Sequence, residues 1–452
     1  MAPKAKTVYV CVNCGFESPR WGGKCPSCGE WNTLTEEVRT PAKAAASLSA
    51  TGRTADVRPL REIRPEGEQR TRTGLSELDR VLGGGIVRGA LMLIGGDPGI
   101  GKSTLLLQIC EQVGREMPIL YVSGEESQRQ IKLRADRLGV HSENLAVLCE
   151  TDMETVIGAM QEYRPGLLIL DSIQTMCLAG ISSSPGSVTQ VRECSAAVMR
   201  AAKAADIPVF IVGHVNKDGA IAGPKVMEHI VDCVLYFEGD PHTSYRMLRC
   251  AKNRYGATNE IGVFEMRDRG LAEVENPSMM LLSGRPVNVS GTCVACAMEG
   301  SRPLLAEVQG LVSPTAFGNP RRMSTGFDNN RLSLLLAVLE KRAGYFFSNL
   351  DAYLNVVGGL RLDEPAADLP VALALVSSLK DKPVDEGVVA FGEVGLAGEI
   401  RAAANAEARV AEAARLGFTR ILVPRQNLRG LSSPSGIEVV GVGTLREAYE
   451  QL

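Results

Sequence analysis

The sequence predicts an α/β protein built around a parallel sheet, with a small four-cysteine module ahead of the core and a second α/β domain behind it. Three observations carry this. Short apolar runs alternate with helical stretches from Thr73 to about Asn276. Two C-x-x-C pairs lie close together near the N-terminus. A new alternation of strand-like and helical segments starts near Pro286. The expected boundaries are 8–36 for the cysteine module, 37–72 for a linker, 73–276 for the core and 286–452 for the last domain.

Size and composition agree. A chain of 452 residues exceeds one ordinary core. Hydrophobic residues at 45% and charged residues at 22% fit a soluble globular protein. The formal net charge of −3 gives no global attraction for a polyanion, so any nucleic-acid site must be local. No apolar run approaches the roughly 18 to 20 residues that span a bilayer. The start, MAPKAKTVYVCVNCG, is basic but lacks the apolar stretch of a secretory signal, which predicts a cytoplasmic protein.

In the first module, Cys11 and Cys14 form one pair and Cys25 and Cys28 the other. Each pair can turn two thiolates toward one point, and four thiolates match the tetrahedral preference of zinc. Gly15 and Gly29 follow each second cysteine, where a tight knuckle needs a permissive backbone. Four protein ligands leave no open position, so this zinc is structural. Over residues 38–72, Arg39, Lys43, Arg53, Arg58, Arg61, Arg64, Arg70 and Arg72 face the acids Asp56, Glu62, Glu66 and Glu68. That reads as a solvated basic tether. Cys293 and Cys296 have no partner pair nearby and read as two small buried residues.

In the core, Ala90–Gly95, Ile119–Val122, Leu167–Leu170, Val209–Val212 and Val231–Phe237 read as buried strands. Ser103–Val113, Ser127–Leu138, Met153–Tyr163 and Val191–Ala205 read as helices between the first four. Tyr245–Ala251 and Ile261–Met266 then suggest strand–turn–strand. Gly96, Asp97, Pro98, Gly99, Ile100, Gly101, Lys102 and Ser103, with Thr104 next, match the phosphate loop G-x-x-x-x-G-K-[ST] between a strand and a helix. Backbone N–H groups would converge on the phosphates of ATP, with Lys102 at the β/γ-phosphates and Ser103 on Mg²⁺. Asp171, at the end of LLILD, would stand beside that metal. Hydrolysis also needs a group that orients water. Glu125, in YVSGEES, is the favoured residue, with Glu126 the alternative.

The stretch TGLSELDRVLGGGIVRGALMLIGGDPGIGKST resembles the opening of a RecA-type core, as in RecA, KaiC and replicative helicases. With the zinc module in front, Lys252-Asn-Arg-Tyr-Gly256 is similar to the KNRFG motif of the bacterial RadA (Sms) family of DNA repair proteins, with Tyr255 in place of the usual Phe. The resemblance covers essentially the whole chain. It implies a DNA-dependent ATPase of homologous recombination that forms homo-hexameric rings and promotes branch migration. It also implies single-stranded and branched DNA without sequence specificity as partner, and the recombinase RecA as a second one. On that reading Lys252 and Arg254 reach the neighbouring subunit's γ-phosphate. His214 resembles the position that senses the γ-phosphate; a satisfied core histidine is the alternative. The Gly/Ser-rich stretch Met176–Val191 reads as a mobile loop facing DNA, with Arg192 and Lys217 near it for phosphates. No aromatic interleaving marks a base-stacking platform in that region.

The last domain resembles the proteolytic domain of Lon, whose serine nucleophile is activated by a lysine. Ala366 stands in the serine's place and Glu407 in the lysine's, so peptide hydrolysis is not expected. Leu332–Arg342 and Leu369–Ser378 read as helices there, and Leu354–Gly358, Val388–Gly392 and Arg420–Val423 as strands. Arg321 and Arg322, just before it, are candidates for phosphate contact or a solvated pair. The other two functional readings are a nucleotide-switched scaffold like the KaiC ring and an ATP-dependent protease.

Overall fold

The computed structural model describes residues 6–11, 16–27, 29–39, 59, 70–214, 227–239, 245–258, 260–315, 318–432 and 434–451. They divide into two compact units, Met1–Glu273 and Val274–Leu452.

The first unit opens with a three-stranded antiparallel sheet, β1 (Lys6–Cys11), β2 (Glu17–Ser18) and β3 (Leu34–Arg39), in the order β2-β1-β3. After β4 (Arg70–Thr71), α1 (Ser76–Val81) and β5 (Ile86–Val87) comes a nine-stranded sheet. Six strands are parallel: β6 (Leu91–Gly96), β7 (Ile119–Ser123), β8 (Leu145–Cys149), β9 (Leu167–Asp171), β10 (Val209–His214) and β11 (Cys233–Glu238). They lie in the order β8-β7-β9-β10-β6-β11. Three antiparallel strands extend the sheet beyond β11: β12 (Tyr245–Asn253), β13 (Ile261–Arg267) and β14 (Gly270–Glu273).

Helices α2 (Lys102–Val113), α3 (Gln128–Leu138), α4 (Met153–Tyr163) and α5 (Val188–Ala205) alternate with the parallel strands. A strand between two helical layers must be apolar on both faces, so LMLIGG is buried at every residue. Its alternation sorts the two layers. Met92 and Ile94 pack with α1 and α2, whereas Leu91 and Leu93 pack with α4 and α5. Ser127 caps α3 through a capping box with Gln130, and Asp152 and Ser187 cap α4 and α5.

Two elements of this unit depart most from the sequence reading. The half-buried strand β8 has no counterpart in it, because its residues are covered on one side only by β7 and the contrast with a loop is weak. Helix α5 begins at Val188, since Ser187 accepts from the N–H of Gln190, so Val188–Val191 leave the expected loop.

The second unit starts with the short helix α6 (Pro277–Leu281) and holds a seven-stranded mixed sheet in the order β17-β18-β16-β15-β19-β22-β23. These strands are β15 (Thr292–Glu299), β16 (Arg302–Pro314), β17 (Arg322–Thr325), β18 (Leu350–Val356), β19 (Val388–Ala390), β22 (Arg420–Pro424) and β23 (Glu438–Val442). The small ladder β20 (Glu393–Val394) and β21 (Ile400–Arg401) stands apart. Around the sheet lie α7 (Asn329–Val338), α8 (Asp368–Lys380), α9 (Ala406–Arg415) and α10 (Leu445–Glu450). Helix α8 is buried from Asp368 to Ser377 and packs on β15 and β16.

The β15–β16 hairpin was not anticipated, because TCVACAME has few β-branched residues and reads as neutral. The expected strand Leu354–Gly358 is instead Leu350–Val356, stopped by Gly358 and Gly359, both at positive φ. The expected helix Leu332–Arg342 starts three residues earlier and passes into a π-helical turn, Leu339–Ala343.

Candidate functional site

Parallel strands end on one edge of a sheet, so residues just past β6, β7, β9 and β10 meet there. Pairing puts His214 beside Gly96 and Ser123 beside Asp171. The phosphate loop fills the turn between β6 and α2. Gly96 has φ +154, and a Cβ there would sit 2.6 Å from the Phe237 carbonyl oxygen. Gly101 caps α2 with φ +119, a conformation that L side chains rarely adopt. Asp97, Pro98 and Gly99 lie toward the surface, while Ile100 is buried and anchors the loop. Lys102, Ser103 and Thr104 form the first turn of α2, which carries no acidic side chain to compete for its N–H groups.

Lys102 is 4% exposed, and its Nζ donates to the carbonyls of Gly96 at 2.8 Å and Asp97 at 2.9 Å. Burial lowers its pKa to about 8, against the opposing pull of Asp171, Asp97 and Glu125. Asp171 is buried at the end of β9 and accepts a hydrogen bond on Oδ2 from the hydroxyl of Tyr121. Its other oxygen has no hydrogen-bond partner among the described residues, which suits a cation or its water. Ser103 and Asp171 therefore fit a magnesium site by donor type: hard oxygens beside a phosphate cradle. Tyr121 was missed in the sequence, where it reads as one more apolar strand residue.

Glu125 and Glu126 diverge. Ser172 donates its hydroxyl to Glu125 Oε1, and His214 Nε2 lies 3.3 Å from the same oxygen. These contacts, His214 first, hold the Glu125 carboxyl down at about 2. Glu126 turns away and pairs with Arg134 of α3. The carboxylate that faces Lys102 is thus Glu125.

Lys252 and Arg254 lie at the opposite edge. Strand β12 runs back along β11, so Lys252 pairs with Val234, whereas Phe237 pairs with Gly96. Lys252 Nζ donates to the carbonyls of Glu228 and Val231. Arg254, 56% exposed, reaches Asp232 at 3.2 Å. Asp232 is 1% exposed and also accepts from Lys203 and from the N–H of Leu91. Tyr255 donates its N–H to Asn253 and offers its carbonyl to Arg70.

The stretch after β9 is tied down by one side chain. Gln190 accepts from the N–H of Leu178 and donates to the carbonyls of Leu178, Ile181 and Ser183. Arg192 pairs with its neighbour Glu193. Lys217 lies outside the described residues.

In the cysteine module, Cys11 and Cys25 are both buried and pack together with Leu34 and Tyr9. The N–H of Cys11 donates to the carbonyl of Phe16, and that of Cys25 to the carbonyl of Glu30, so the same closure follows each of the two cysteines. Gly29, at φ +76, closes the second. Cys14 and Cys28 lie outside the described residues. Two buried sulfurs on matched turns fit zinc. Cys293 and Cys296 are buried on β15, where their odd spacing puts them on opposite faces of the strand, and burial pushes both thiols up to about 12.

In the second unit, Ala366 is buried and Glu407 bonds Ser432. Arg409, 1% exposed, forms a two-point pair with Glu364, lies over the ring of Phe391 at 5.2 Å and donates to Cys296 and Ala404 carbonyls. Arg322 is not available as a phosphate contact. Its guanidinium donates to the carbonyls of Phe347 and Leu350, fastening β17 to its neighbour. Arg321 donates its N–H to Asp351.

Residues 58–220 match the family described as AAA domain, residues 9–36 the rubredoxin metal binding domain, and residues 334–427 subunit ChlI of Mg-chelatase. The DNA repair protein RadA of Bacillus subtilis is 54% identical over 98% of this chain and 98% of its own. The protein of that name from Halalkalibacterium halodurans is 54% identical over 99% and 98%, and that from Listeria monocytogenes 51% over 99% and 98%. Among solved structures, a KaiC-like protein of Pyrococcus horikoshii aligns with a TM-score of 0.40 at 18% identity, covering 46% of this chain and 100% of that one.

Proposed function

Because the chain belongs to the RadA family of DNA repair proteins, we propose that it is a ring-forming ATPase whose turnover is driven by DNA and which moves branched recombination intermediates. An ATP-hydrolysing core and a zinc-binding ribbon follow from the family matches.

One observation supports the catalytic reading most: Glu125, pinned by Ser172 and His214, stands at the same sheet edge as the phosphate loop and Asp171. In this mechanism the backbone N–H groups from Gly99 to Thr104 cradle the phosphates. Lys102 leaves the carbonyls of Gly96 and Asp97 and takes the β/γ-phosphate oxygens instead. Ser103 and Asp171 would hold Mg²⁺, which would neutralise charge on the bound phosphates. Tyr121 fixes the carboxylate of Asp171. Glu125 orients the attacking water. Its contacts with His214 and Ser172 hold it ionised, so it is set to accept a hydrogen bond from that water. His214 touches Glu125 and is placed to respond when a bound γ-phosphate repels that carboxylate or competes for the ring N–H.

Lys252 and Arg254 cannot serve their own phosphate loop, because they lie at the far edge of the sheet. They act on a neighbour's nucleotide in a homo-hexamer, in the manner of an arginine finger. The recombinase RecA is the protein partner we propose. A protease reading has no support: Ala366 has no nucleophilic atom, and Glu407, where the lysine would stand, offers no amine base.

The test is steady-state ATP hydrolysis with and without single-stranded DNA. Strong stimulation is expected. Turnover indifferent to DNA would overturn the DNA-driven cycle and leave a nucleotide-switched scaffold.

A further inference from the structure

The chain has two tryptophans, and both sit on the cysteine module. Trp21 is 60% exposed and Trp31 is 68% exposed. An indole is among the costliest side chains to leave in water, so two in the one connection between β2 and β3 mark a surface with an occupant. The fold holds them near each other. Lys24 bridges to Trp31 across an antiparallel pair, and Asn32 donates its N–H to the carbonyl of Gly23. The Trp31 ring lies beside Gly23, 3.5 Å from where a Cβ would stand. Trp21 precedes Lys24 by three residues, about 10 Å of extended chain at most.

The surroundings decide the kind of occupant. A protein-binding hot spot sits in a desolvated apolar patch. Here the neighbours are polar: Arg20, Lys24, Ser27 and Asn32 are exposed, with Glu30 the one acid among residues 19–32. Lys24 Nζ lies 5.7 Å from the centre of the Trp31 ring. Separate flat rings flanked by cations suit a chain of stacked bases joined by phosphates. We propose that Trp21 and Trp31 form a stacking platform for the bases of single-stranded DNA, with Arg20 and Lys24 meeting its phosphates. This rests on the DNA-acting reading above but places DNA on a second site, away from the ATPase core's own loops.

Because no other tryptophan exists in the chain, emission at this site is read without labels. The full-length, zinc-loaded protein is titrated with an oligothymidylate and with an abasic strand of the same length, while the anisotropy of labelled strands reports binding separately. The expected result is saturable quenching by the oligothymidylate at the concentrations where it binds, and none by the abasic strand. Trp21→Ala and Trp31→Ala each weaken oligothymidylate binding by at least about tenfold, with zinc content and DNA-free ATP hydrolysis unchanged. Binding without quenching, or equal quenching by the abasic strand, overturns the platform and leaves the DNA-acting reading standing. Variants that bind as tightly as the parent also overturn it. If no strand binds at all, both readings fall.

Discussion

Replacing Arg254 with alanine separates a catalytic role in the neighbouring site from a structural role in its own subunit. The N–H of Arg254 bonds the carbonyl of Asp232, and five residues along β11 separate Asp232 from Phe237, the partner of Gly96. At about 3.3 Å per residue that is roughly 17 Å along the strand, more than an arginine side chain spans. Within one subunit the substitution should therefore leave the nucleotide site intact. It should cost little stability as well. The ion pair with Asp232 is more than half exposed on the arginine side, and Asp232 keeps Lys203 and the Leu91 N–H, so the loss is under about 1 kcal/mol. Loss of an arginine finger, by contrast, lowers kcat by about 10³- to 10⁵-fold. The assay mixes Arg254→Ala with Lys102→Ala in equal amounts and follows ATP hydrolysis. Each variant alone is nearly inactive. In rings assembled at random about a quarter of interfaces join an intact phosphate loop to an intact Arg254, so the mixture should recover up to about a quarter of parental turnover. A mixture no more active than its components would refute the shared site, and loss of nucleotide binding by Arg254→Ala alone would refute the geometry.

Four further outcomes are expected. The Lys102 amine, lowered by burial to about 8 from an ordinary 10.5, makes the free protein less stable below pH 8 by a cost that fades as pH rises toward 10.5. Affinity for an ATP analogue should conversely fall by up to about tenfold per pH unit above 8, as the charge is lost; a flat affinity between pH 7 and 9.5 would contradict the burial argument. Cys28→Ser should lower zinc content to near zero by elemental analysis, and unchanged stoichiometry would count against the four-thiolate site. Glu364→Ala strands the guanidinium of Arg409, which is 1% exposed, and should destabilise the protein by about 3–5 kcal/mol in urea unfolding; a change under about 1 kcal/mol would show that the pair contributes little.

Chemistry that depends on consecutive residues was legible from the sequence alone. A phosphate loop needs adjacent backbone N–H groups and a helix start, so Gly96–Ser103 announces itself as a string. The paired cysteines do so for the same reason, and Asp171 follows from an apolar strand ending in a carboxylate. Buried parallel strands were equally plain, since burial on both faces makes each a continuous apolar run. What the tertiary structure decided is whatever depends on strand order. Glu125 meets Ser172, 47 residues on, and His214, 89 residues on, only because β7, β9 and β10 end side by side. That contact separates Glu125 from Glu126, which adjacent positions in a sequence cannot do. The reversal of β12 along β11 sends Lys252 and Arg254 to the far edge, and the carbonyls of Phe347 and Leu350 engage a guanidinium, Arg322, that the sequence presents only as charge. A sequence lists donors and acceptors; which of them meet is set by crossovers between strands, and those are fixed by burial of the whole sheet and not by any local pattern.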